Sequence, residues 1–144
     1  MSTSQPITPR YFRAKQGNEG VIVFVHGLFG DGTSSWMYSE PKSDTRAYWP
    51  DLLKHDSTFD KQDIYVFEYS TGLSSSFSID ELAENMRLVL TADHVFKHKK
   101  VFFLTHSMGG LVTRAFLLKY RDLAKQVAFI YFFATPTTGA AVAR

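Results

Sequence analysis

The sequence contains no cysteine, which excludes a disulfide framework and any thiolate chemistry. That fits a reducing compartment, and a cytoplasmic location is the expectation. The opening stretch, MSTSQPITPR, has no apolar core segment, so no signal peptide is expected. No long hydrophobic run occurs either. The longest, residues 127–134, is far too short to cross a bilayer, and a transmembrane segment is not expected. Charge of one sign is also scarce, because 16 Lys and Arg against 14 Asp and Glu leave a net charge of +2. The one basic run, Lys97-His98-Lys99-Lys100, carries no interleaved aromatics and reads as a solvated turn, which argues against a nucleic-acid partner. Neither GxxxxGK[ST] nor GxGxxG is present, so no nucleotide cofactor is implied. His94 and His98 are four residues apart but have no third ligand beside them, and no metal is expected.

Aromatic and aliphatic residues, by contrast, are plentiful. At 44% hydrophobic and 15% aromatic, the 144 residues suffice for one domain with a real core. Residues 1–19 are polar and read as an N-terminal arm, with an edge strand at 11–14. VIVFV (21–25) is a β-branched run of the kind buried on both faces of a sheet. Residues 27–43 read as a long loop, 44–56 as a helix broken or restarted at Pro50, and DIYVFEY (63–69) as a second strand. Ser78 and Glu81 form a capping-box pattern, opening a helix over 78–98 with one apolar face. VFFLT (101–105), a helix over 108–120 and VAFIYFFA (127–134) follow. With no repeat and no linker, this alternation predicts an α/β domain over residues 20–144, a mostly parallel sheet with helices on both faces.

The third predicted strand runs directly into His106 and Ser107. A serine presented for attack on a carbonyl can sit at a sharp strand-to-helix turn, which requires small residues two before and two after it. Gly109 fills the second position, and Gly110 beyond it lets the helix pack closely. Thr105, not glycine, occupies the first. The helix starting at the serine points its N-terminal amides at the site, so the Met108 N–H is placed to donate to an oxyanion. A second donor is available in HGLFG, His26 to Gly30, after the first buried strand, where Gly27 and Gly30 free the backbone and Leu28 is best placed. The simpler alternative for Ser107 is a helix cap, a role serine fills well. The order of the two motifs, both at carboxyl ends of adjacent strands, favours the nucleophile.

VFVHGLFGD (23–31), THSMGGLV (105–112) and FFATPTTGA (132–140) together resemble the α/β-hydrolase superfamily, specifically its lipase-like serine esterases. The resemblance covers most of residues 20–140. It implies Ser107 as an acyl-forming nucleophile, Leu28 and Met108 as backbone oxyanion donors, and the four strands as strands three to six of the family's sheet. His26, Gly27, Gly30, His106, Gly109 and Gly110 are the supporting motif residues. A small-molecule or lipid ester is the implied substrate, and no cofactor is required.

The same resemblance exposes an absence. The family's chain order is Ser, then Asp or Glu, then His. After Ser107 the sequence holds one acidic residue, Asp122, placed near the end of the nucleophile helix, and no histidine. The chain therefore reads as the N-terminal portion of a hydrolase lacking its last strands, with a catalytically inactive truncated hydrolase or binding module as the alternative. His106 adjoins the serine and diverges from it. His26 is expected to hold its loop by bonding the backbone, and His55 to sit as a charge partner at a helix end. An uncovered strand at 127–134 would leave an apolar sheet edge open to self-association.

Overall fold

The run Val21–Val25 lies at the centre of a five-stranded sheet, and all but one of its side chains are wholly inaccessible to solvent. The computed structural model describes residues 10–27, 30–69 and 77–136. In chain order these form β1 (Tyr11–Arg13), β2 (Gly20–Val25), β3 (Met37–Ser39), β4 (Arg46–Tyr48), α1 (Trp49–His55), β5 (Gln62–Phe67), α2 (Ile79–Ala92), β6 (Lys100–His106), α3 (Met108–Lys119), α4 (Arg121–Ala124) and β7 (Val127–Phe133). The sheet order is β1-β5-β2-β6-β7. Only β1 is antiparallel, and the other four strands run parallel, with Val25 level with Phe67 on one side and Thr105 on the other.

From β2 the chain crosses to β5 on one side, then returns over α2 to β6 on the other. That reversal makes the carboxyl end of β2 a switch point, where loops part and open parallel sheets place their sites. Period-two alternation distributes the side chains. Val21, Val23, Val25, Tyr65, Phe67, Val101 and Phe103 pack with α2 and α3 on one face. Ile22, Phe24, Ile64 and Val66 pack on the other, beneath Trp36 and Leu53 of α1. Helices thus cover both faces, as the alternation predicts.

The local signals explain the ends of the elements. The capping box at Ser78 and Glu81 is fully formed, with Ser78 Oγ accepting from the Glu81 amide and Glu81 accepting from the Ser78 amide. Pro50 lies in the first turn of α1, where its missing N–H is harmless.

Three expectations are corrected. Residues 46–48 are not helical, because β4 pairs with β3 in a small hairpin inside the stretch read as loop and helix start. The helix predicted over 78–98 ends at Ala92. His94 adopts a left-handed conformation (φ 57°) and a short 3-10 turn, Val95–Lys97, follows, so His94 and His98 never share a helical face. His98 instead contacts Asp63 at 2.8 Å in a largely buried pair. Asp122, finally, belongs to the separate turn α4 and is exposed beside Lys125. Among the described residues no helix is long and apolar enough to cross a membrane.

Candidate active site

Ser107 links β6 to α3 with φ 53° and ψ −130°. An L-residue with a side chain reaches that region only under strain, of order 1–3 kcal/mol, and such strain persists where surrounding contacts over-determine it. The contacts are visible. The Ser107 amide donates to the Phe133 carbonyl at 2.8 Å, and the Ser107 carbonyl accepts from the Gly110 amide at 3.1 Å. The serine occupies the N-cap position of α3, yet its side chain makes no capping hydrogen bond. The simpler reading, a capping serine, is therefore not what the geometry shows.

Strain of this kind predicts an unusual substitution. Ser107→Gly removes the backbone penalty while adding about 0.5–1 kcal/mol of unfolded-state entropy. We expect a net gain near 1 kcal/mol in urea unfolding, with Ser107→Ala showing none of it. Equal stability of the two variants would mean that the turn is relaxed.

The loop after β2 meets the same point. A Cβ on Gly27 would lie 3.3 Å from Ser107 Cβ and 3.7 Å from its Oγ, so the two motifs touch at one sheet edge. Gly30 closes a turn by donating to the Gly27 carbonyl at 3.1 Å. The same carbonyl lies 2.6 Å from His26 Nδ1. A carbonyl only accepts, so that nitrogen carries the proton and the ring fastens the loop, the part expected of it. Burial pushes the His26 pKa below the usual imidazole value, partly opposed by the Gly27 bond and by the carboxylates of Glu68 and Asp31. Its ring packs edge-on against Tyr69. Leu28, the expected second oxyanion donor, lies outside the described residues.

Downstream, Glu68 accepts from the Gly32 amide and Tyr48 donates to the Gly32 carbonyl, bracing the loop against β5 and the hairpin. Neither partner is signalled by the sequence, because both act across the fold.

On the helix side, Met108 opens α3, and Gly109 and Gly110 are buried in its first turn. A Cβ at Gly109 would press on the backbone of Val25 and His26, which is why the helix can start so near β2. Thr105, the departure from the small-residue pattern, is fully buried and donates to the Tyr131 carbonyl at 3.0 Å. Its branch points into the seam with β7 and away from the turn, so no glycine is required there. His106 points elsewhere, its ring 6.2 Å from that of Trp36.

Residues 16–144 match the PGAP1-like alpha/beta domain. The chain belongs to that family. The α/β-hydrolase resemblance of the sequence thereby stands, and the fold is that of a lipase-like α/β hydrolase. This PGAP1-like chain is also similar to the protein SERAC1 of Bos taurus, at 24% identity over 94% of its length and 24% of that protein's. Among solved structures it is similar to the phospholipase PlaB from Legionella pneumophila, with a TM-score of 0.62 and 22% identity, over 86% of this chain and 26% of that one. At that identity the likeness concerns the fold. The PGAP1-like chain spans about a quarter of each relative. Among its described residues, no histidine hydrogen-bonds Ser107: His26 is held by Gly27, His55 by Asp51, and His98 by Val95 and Asp63.

Proposed function

We propose that this PGAP1-like chain carries the nucleophile and oxyanion elements of a serine hydrolase acting on carboxylic esters with an apolar acyl group. The observation that supports it best is the strained turn at Ser107 lying directly against Gly27. In this reading Ser107 Oγ attacks the ester carbonyl carbon while a base takes the hydroxyl proton. The displaced carbonyl electrons rest on an oxyanion held by the Met108 and Leu28 amides. Collapse expels the alcohol, which takes up the proton held by the base, and leaves the acyl group on Ser107. Water, its proton taken by the same base, then repeats the sequence to release the acid and restore the serine. The fold it shares with a phospholipase agrees with a lipid ester as substrate.

A serine hydroxyl without an adjacent base is a weak nucleophile, and oxyanion stabilisation with binding alone sustains only about 10³–10⁴ over water. We therefore expect slow hydrolysis of a nitrophenyl acyl ester and slow fluorophosphonate labelling, traced to Ser107 by mass spectrometry and accelerated by added imidazole. Loss of labelling in Ser107→Ala supports the reading. Labelling undiminished in that variant overturns it, and the inert alternative, a binding module, is then the better description.

The open edge of β7 bears on how the chain behaves in solution. Phe129, Tyr131 and Phe132 are each 42–54% exposed, on a seven-residue strand with no neighbour on its outer side among the described residues. An apolar edge of that length is a template for pairing, and we propose a second copy of this chain as its occupant. Sedimentation at micromolar concentration should show dimers or larger species, reduced to monomer by Phe129→Lys with Tyr131→Lys. A monomeric parent chain would refute this.

A further inference from the structure

The end of β7 folds back onto the nucleophile turn. Ala134 takes a positive φ of 50°, bending the chain, and Thr135 Oγ1 then donates to the Ser107 carbonyl at 2.9 Å. The hydroxyl reaches that carbonyl only because Gly110 has no side chain, since a Cβ there would collide with Thr135. The Ser107 carbonyl and the Met108 N–H belong to one planar peptide unit and point in opposite directions. Whatever fixes the carbonyl end fixes the aim of the amide end. A hydrogen bond accepted by the carbonyl also polarises the unit and strengthens its N–H as a donor.

We propose that Thr135 is a positioning residue that aims and polarises the Met108 amide at the oxyanion site. The inference rests on Ser107 and Met108 acting as proposed above, and it adds the device that holds the donor in place. The Gly110 amide bonds the same carbonyl from inside the helix. It contributes what any helical first turn supplies. Thr135 reaches it from the segment that follows β7 and ties the turn to that strand's end. The strain at Ser107 gives that tie a purpose, because a peptide held in a sparsely populated conformation needs contacts on both of its ends. The Ser107 amide is held by Phe133 and the Ser107 carbonyl by Thr135, so the β7 terminus grips the serine on both sides.

The test compares Thr135→Val, which keeps the shape and removes the hydroxyl, with Thr135→Ser, which keeps the hydroxyl. Two readouts are taken on the full chain: the Met108 amide resonance in a ¹H–¹⁵N spectrum, and the fluorophosphonate labelling rate resolved into maximal rate and half-saturating concentration. Losing an oxyanion donor outright costs about 10²–10³ in rate, so a mis-aimed one should cost about tenfold or more. For Thr135→Val we expect the Met108 resonance to move and the maximal labelling rate to fall at unchanged half-saturation. Thr135→Ser should restore both, and thermal melts of the two variants should agree. An unmoved Met108 amide in Thr135→Val, or a loss that Thr135→Ser does not rescue, overturns the proposal. A moved amide together with full labelling of Ser107→Ala supports the positioning contact and overturns the nucleophile reading instead.

Discussion

Gly109→Ala should cost about 3 kcal/mol or more of folding stability, a large share of the roughly 5–15 kcal/mol a domain possesses. The added methyl would sit 3.0 Å from the carbonyl oxygen of Val25 and from the carbonyl carbon of His26, and closer still to the His26 oxygen. These are backbone atoms of Val25, the last residue laddered to β5 and β6, and of His26, which follows it directly. They cannot swing aside as a side chain does. Relief requires α3 to slide off the sheet, which opens the packing of Val112 and Phe116. Gly110→Ala is the natural control. Its new methyl meets side-chain atoms of Thr135 and Phe132, which can rotate, so a smaller loss of about 1–2 kcal/mol is expected. Urea denaturation separates the two cases, since with a slope of about 1–3 kcal/mol per molar the Gly109 variant should unfold more than a molar earlier. Equal midpoints would show that the helix start is not pinned by the strand.

The second large effect lies at the opposite end of the molecule. Arg13 is 6% exposed and meets no carboxylate among the described residues, only backbone carbonyls: Gln62, Lys54 in the last turn of α1, and Phe59. The guanidinium serves as a cap to α1, where carbonyls are otherwise orphaned and a cation is favoured by the helix dipole. It also ties edge strand β1 to β5. Arg13→Leu would strand these carbonyls without donors, and a loss of about 3 kcal/mol is expected from charged hydrogen bonds of about 1.5–3 kcal/mol each, discounted for rearrangement. Arg13→Lys should recover little, because one compact ammonium cannot span carbonyls that a planar fork reaches together. Full recovery by lysine would show that charge alone matters there.

Both predictions turn on contacts that no local pattern announces. HGLFG and HSMGG are visible as motifs, and their glycines signal tight backbone. The partner each glycine makes room for is a strand end or side chain distant in sequence. Arg13 shows the same gap from the other side. In the sequence it is one more charge in a polar N-terminal stretch, and only the pairing of β1 with β5 buries it.

The sequence by itself determined the alternation of strands and helices, because period-two burial, the Ser78–Glu81 capping box and β-branched runs act over a few residues and need no distant partner. It also located the turn at Ser107 and the glycine loop beginning at His26. Tertiary structure alone decided where α2 stops, since His94 breaks the helix so that His98 can meet Asp63 across the fold. It turned residues 46–48 into a strand by supplying β3 as a partner. It showed that Thr105 tolerates its position by bonding β7, and that Thr135 grips the peptide following the serine. The division has one physical cause. Propensity and capping are settled within a turn or two of chain, whereas packing clearances and cross-strand hydrogen bonds exist only once remote segments have been brought within a few ångströms.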